Sequence, residues 1–228
     1  MKRVLYIAAM ALLCSSCFHV NKNFTGGKNA IKGSGPVITK SLEFKDFDTI
    51  EINGGADVTF TQAEGYDVTV RTQESVFEYL DYEVKGTKLI LQVKDKRNIR
   101  AEVFEISVSA PELNKVVVNG ASDFDIQSLR IDGDLDVQVN GAGDLDFDQI
   151  ACDSFTVQVN GAADANLTSI DIRKTLKVEV NGAGDVNISG KAQDVSLEVN
   201  GAGDIDATEL EVAGKVKQHK AGIATIRI

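Results

Sequence analysis

Hydrophobic and polar residues alternate along most of the second half of the chain. Leu135, Val137 and Val139 alternate with Asp136 and Gln138; Phe155, Val157 and Val159 follow the same rule, as do Leu176, Val178 and Val180. A period of two predicts strands with one buried face. Each run enters a short polar, glycine-rich stretch, after which alternation resumes at Leu145 and Phe147, and at Val186 and Ile188. The unit is therefore strand, tight corner, strand.

The corner recurs. Copies begin at Ile52 (INGGAD), Val118 (VNGASD), Val139 (VNGAGD), Val159 (VNGAAD), Val180 (VNGAGD) and Val199 (VNGAGD). From Asn119 onward the asparagines are spaced by 21, 20, 21 and 19 residues. A unit of this size cannot bury its own apolar face, but stacked copies can. A propeller blade needs about forty residues and a leucine-rich repeat needs its LxxLxL core, and the sequence has neither. The predicted fold is all-β: a single-domain parallel β-helix, or β-solenoid, with coils of about 20 residues and an irregular N-terminal part.

Stacking predicts ladders of like residues. Asn53, Asn119, Asn140, Asn160, Asn181 and Asn200 form a structural corner ladder that exchanges side-chain amide hydrogen bonds. The following glycine supplies a positive backbone angle, and the next two positions hold only Gly, Ala or Ser. Asp57, Asp123, Asp144, Asp164, Asp185 and Asp204 line up in the same way. Like charges at sheet spacing repel by roughly 1 kcal/mol per pair in water, so corner N–H groups, solvent or a bound cation must offset them. Calcium along this aspartate ladder is one alternative, because oxygen-only ligands suit it. The spacing differs from the calcium-binding GGxGxDxUx repeat, however, and each coil offers one carboxylate at this phase.

The irregular part spans 36–110. It predicts strands over 66–72, 88–93 and 103–109, a helical turn over 75–80 and a hairpin turn over 83–89. The 66 residues between Asn53 and Asn119 form an excursion suited to capping the open end of the stack. Residues 94–100 (KDKRNIR) read as a solvated basic loop and as the best candidate for meeting an anionic partner. Residues 111–228 hold the regular coils and a C-terminal cap. At Val216–Ile223, His219 is read in the asparagine place, Lys220 in that of the first glycine and Ile223 in that of the aspartate, as expected of an atypical terminal repeat.

The beginning of the chain has a different logic. Lys2 and Arg3 precede an apolar run from Val4 to Leu13, which is too short to span a bilayer but suits a signal segment. Leu13-Cys14-Ser15-Ser16-Cys17 resembles a bacterial lipobox, with Cys14 where an aliphatic residue is usual. The resemblance implies a lipoprotein signal peptide over 1–16 and diacylglycerol on the Cys17 sulfur, usually with an acyl chain on its new amino group. The alternative is an ordinary secretory signal cleaved near Ser16. Residues 17–35 read as a flexible tether, with His19 solvated, and 36–228 as the folded body.

Composition narrows the function. The net charge of −10 opposes nucleic-acid binding, which needs a basic footprint. Aromatic residues make up 6% and Trp is absent, which argues against an aromatic sugar platform. Cys152 stands apart from Cys14 and Cys17, and no disulfide framework or zinc pattern follows.

With the corner series, Ile50–Phe60, Asp67–Val70 and Lys88–Leu91 in view, the sequence resembles the auto-transporter adhesin head GIN domain family over roughly 40–226. The resemblance implies an extracytoplasmic β-solenoid and carries over no catalytic residues or cofactor. The expected function is a non-enzymatic cell-envelope lipoprotein, anchored at Cys17, with an adhesive, ligand-binding or spacer role. Its partners would be the membrane and an envelope glycan, lipid or surface protein. A polysaccharide-active enzyme is the less favoured alternative, because the aspartates repeat at one phase instead of pairing across a cleft.

Overall fold

A computed structural model describes residues 30–228; the signal segment, Cys17, His19 and most of the expected tether lie outside them. The described residues wind into a parallel β-solenoid of about five regular turns, with three faces.

The first face carries the strands that enter each corner. Thr49–Gly54, Lys115–Gly120, Leu135–Ala142 and Phe155–Ala162 pair in parallel register, followed by the ends of Ala165–Gly182 and Val186–Gly201 and then by Val216–Gly222. The second face carries the strands that leave the corners: Asp57–Gln62, Asp123–Ile126, Leu145–Asp148, the starts of Ala165–Gly182 and Val186–Gly201, Asp204–Val212 and Thr225–Arg227. A short third face begins with Leu129–Arg130 and Ile150–Cys152 and closes each coil.

The 66-residue excursion builds a coil of its own. Lys88–Gln92 pairs with Thr49–Asn53, and Phe104–Ala110 pairs with Asp57–Gln62, both in parallel. The chain thus lays this coil on the outer side of the first corner, then returns to continue the stack from Lys115. Antiparallel strands cover that end: Asp67–Gln73 on Phe104–Ala110, Val37–Leu42 on Asp67–Gln73, and Glu83–Lys85 in a hairpin with Lys88–Gln92. The expected helical turn is a 3-10 helix over Glu74–Tyr79. Ile31–Lys32, inside the stretch read as tether, pairs with Ile99–Arg100, and Ile31 is buried.

The core is one continuous cluster running the length of the stack. Val118, Val139, Val159, Val180 and Val199 form a fully buried column, each side chain contributing about 1.5–3 kcal/mol by burial. Phe124, Phe147 and Phe155 pack in sequence, with centroids 6.0 and 6.2 Å apart. Cys152 is buried and free, and burial pushes its thiol up to about 12. It therefore behaves as a small apolar residue.

The terminal coil corrects one expectation. Register places Ala221 opposite Asn200, Gly222 opposite Gly201 and Thr225 opposite Asp204, while His219 faces Glu198. His219 thus lies two residues before the asparagine position.

Candidate functional site: corner ladders, acidic face and terminal edge

The corner conformation explains the motif residue by residue. Gly120, Gly141, Gly161, Gly182 and Gly201 have φ between 142° and 152°. A Cβ on any of them would lie 2.0 Å from the carbonyl oxygen of the preceding coil's glycine. Backbone therefore packs directly on backbone, and only glycine fits. Gly54 differs, since a Cβ there would meet nothing within 4 Å: the coil outside it has no corner.

This close approach brings the asparagines together. Asn119 donates from Nδ2 to Asn53 Oδ1 at 2.9 Å, and Asn140 to Asn119 at 2.9 Å. Asn160 donates to Asn140 at 3.0 Å, Asn181 to Asn160 at 3.0 Å and Asn200 to Asn181 at 3.1 Å. All six are half-buried. The ladder is finished by Glu51, which accepts from Asn53 at 3.0 Å, and by Glu198, which accepts from Asn200 at 2.8 Å.

The aspartates line up on the second face beside the corners, and the carboxylates of Asp123, Asp164, Asp185 and Asp204 accept from the backbone of the next coil. The Asp144 amide donates to Asp123 Oδ1 at 3.0 Å, that of Asp185 to Asp164 at 2.9 Å, that of Asp204 to Asp185 at 3.1 Å and that of Thr225 to Asp204 at 2.9 Å. Backbone dipoles thus offset the repulsion that the sequence predicts. Among the described residues no group of three His, Cys, Asp or Glu side chains converges as a metal-holding set.

A second polar column runs beside them, and the sequence reading missed it. Thr59, Asp125, Asp146, Asn166, Asn187 and Asp206 occupy successive rungs. Asn166 donates to Asp146 at 2.7 Å, and Asn187 to Asn166 at 3.0 Å. Thr59, Asp125, Asp146 and Asp148 help line a surface hollow of about 230 Å³. Burial, then the charges of Asp146, Asp123, Asp57 and Asp144, push the Asp125 carboxyl up to about 6. The signal was present in the outward positions of the strand after each corner, two residues past the aspartate.

The basic stretch over 94–100 is not the simple loop expected. Lys94 donates to the Glu78 carbonyl, Arg97 lies over the Tyr79 ring, and Ile99–Arg100 pairs with Ile31–Lys32. At the other end of the molecule, every residue of Val216–Gly222 is exposed, and among the described residues it pairs only with the coil before it. Among the described residues no helix is long and apolar enough to cross a membrane.

The family model described as "Putative auto-transporter adhesin, head GIN domain" matches residues 46–228. No curated protein matches the chain. Solved structures share its fold at low identity. A "putative adhesin" from Bacteroides fragilis is 20% identical, covering 87% of this chain and 99% of that one, with a TM-score of 0.67. A "putative lipid binding protein" from Parabacteroides distasonis is 17% identical over 87% and 99%, with a TM-score of 0.71. A "putative adhesin" from Parabacteroides merdae is 16% identical over 88% and 99%, with a TM-score of 0.52.

Proposed function

Because this chain belongs to the adhesin head GIN-domain family, we propose that it is a non-enzymatic binding scaffold of the cell envelope, tethered to a membrane by lipid on Cys17. One observation carries the non-enzymatic part. The polar groups of the corners are largely occupied in holding the coils together: asparagine amides bond to asparagines, and Asp123, Asp164, Asp185 and Asp204 accept from backbone amides. What remains free to meet a partner is the outer surface and the ends of a stiff rod. Catalysis by paired carboxylates would need two groups with separated proton affinities converging across a cleft. Here the carboxylates are spread in columns along one face.

The anchor follows from Cys17 behind Ser15 and Ser16. Two or three chains at one site give stable attachment where a single chain would not. The test is intact-mass analysis of protein extracted from bacterial membranes, with a crosslinking arm to name neighbours. The reading expects cleavage before Cys17, an added diacylglyceryl group with an acyl chain, and release into the soluble fraction on Cys17→Ala. An unmodified Cys17 in membrane-extracted protein would refute the anchor. Turnover of an envelope polysaccharide that disappears on Asp125→Asn would refute the non-enzymatic assignment.

A further inference from the structure

The two ends of the solenoid are finished differently. The N-terminal end is covered by antiparallel strands and the 3-10 helix. At the C-terminal end, Val216–Gly222 pairs with the preceding coil, and among the described residues nothing pairs with its other edge. Thr225–Arg227 likewise pairs only with the coil behind it. Such an edge presents a row of backbone N–H and C=O groups to any extended chain that reaches it.

Charge and apolar exposure single out this edge. Residues 213–228 hold Lys215, Lys217, Lys220 and Arg227, with no Asp or Glu, on a chain of net charge −10. Arg227 is paired with Asp206, but among the described residues no carboxylate pairs with Lys215, Lys217 or Lys220. Ile223 is 88% exposed, at the corner position where the five preceding coils carry alanine. Val216, at the opposite end of the strand Val216–Gly222, is also exposed.

From this combination we infer that the C-terminal edge is a docking surface for an extended acidic polypeptide strand, added to the sheet at Val216–Gly222. The free backbone supplies the strand's ladder, Lys215 and Lys217 on its outward side the charge complement, and Val216 and Ile223, near its two ends, the apolar contacts. A second copy of this chain fits less well. Edge-to-edge pairing of two such ends would oppose lysine to lysine. The outer strands of the N-terminal cap are not acidic either: Val37–Leu42 carries Lys40 and no carboxylate, and Glu83–Lys85 carries one charge of each sign. An anionic lipid surface would satisfy the lysines and leave the row of backbone groups unpaired. Lysines on an edge also discourage self-association, so the same residues that repel a like edge select an acidic one.

This inference rests on reading the molecule as a binding scaffold and names where it binds. The test uses the full chain and a labelled ten-residue peptide alternating glutamate and valine, with its lysine–valine counterpart as control. Fluorescence anisotropy is followed by amide hydrogen exchange on the complex. The expected result is selective binding of the acidic peptide, weakened by salt, with new protection confined to 216–227. Lys215→Glu combined with Lys217→Glu should weaken binding at least tenfold, and Ile223→Ser several-fold. These side chains are exposed, and an unchanged melting temperature checks that the variants fold. Four results would overturn the inference: no selective binding, equal binding to the double variant, protection appearing elsewhere such as 94–100, or capture only of a second copy or of phosphatidylglycerol-containing vesicles. Retained crosslinking to an envelope partner by the double variant would overturn this surface alone and leave the scaffold reading in place.

Discussion

At the scale of single residues, the fold is decided by what the corners exclude. Gly161 has no room for a methyl group because the Gly141 carbonyl oxygen would lie 2.0 Å away, whereas the same addition at Gly54 meets nothing. Both glycines have φ near 150°, so backbone strain of about 1–2 kcal/mol is common to both. Gly161→Ala adds a backbone clash in the middle of the stack. It is expected to cost about 4 kcal/mol or more, against about 1–2 for Gly54→Ala, as measured by urea denaturation. Equal costs would mean that the corners do not touch. The need for glycine was legible in the sequence. That Gly54 is the exception was not, because it depends on what lies outside the first corner.

Ladders and faces behave as elements. An interior asparagine makes two rungs: Asn160 donates to Asn140 and accepts from Asn181. Removing it leaves half-buried partners unpaired, so Asn160→Ala should cost about 2 kcal/mol, and Asn200→Ala, which loses its bonds to Asn181 and Glu198, about as much. The comparison is read from paired unfolding curves. The acidic face has its own signature. Because the folded Asp125 carboxyl is raised to about 6, the native state binds more protons than the unfolded state from about pH 4 to 6. Stability therefore falls as pH rises through that window. Asp125→Asn should stabilise at pH 7 by about 1 kcal/mol, allowing for solvent screening of a half-exposed group. The advantage should vanish near pH 4. Asp153, held low by Lys174 and Arg173, and Asp206, held low by Thr208, act in the opposite sense and only below the usual aspartate range. Melting temperatures of both proteins from pH 4 to 8 give the difference. A difference that does not change with pH would contradict the crowding of charges around Asp125.

For the molecule as a whole, the regular coils could be read from sequence because each copy meets another copy of itself, so one pattern serves all. The N-terminal part resisted for the opposite reason. Lys88–Gln92 and Phe104–Ala110 stack outside a coil that precedes them in the chain, and chain order does not reveal stacking order. Their strands were visible in the alternation of Leu89 and Leu91, but their neighbours were not. The terminal coil failed more narrowly. Positions 219 and 221 both lie within the spacing range of the repeat from Asn200, and a slip of two residues preserves which side chains face inward. Only Gly222, at φ 101° opposite Gly201, fixes the frame. The polar columns of the second face were legible in part: the corner aspartates stood out by repetition, while Asp125 and Asp146 were hidden because the column mixes Thr59, Asn166 and Asn187 with its aspartates.

The central claim is that glycine-rich corners far apart in sequence lie directly over one another in register. It is tested most directly by double electron–electron resonance between spin labels at the exposed corner positions Ala121 and Ala202, with Cys14 and Cys17 replaced by serine. Four coil steps at sheet spacing predict a single distance near ~20 Å. A broad distribution, or a distance beyond about 30 Å, would contradict the stacked solenoid and every assignment built on it.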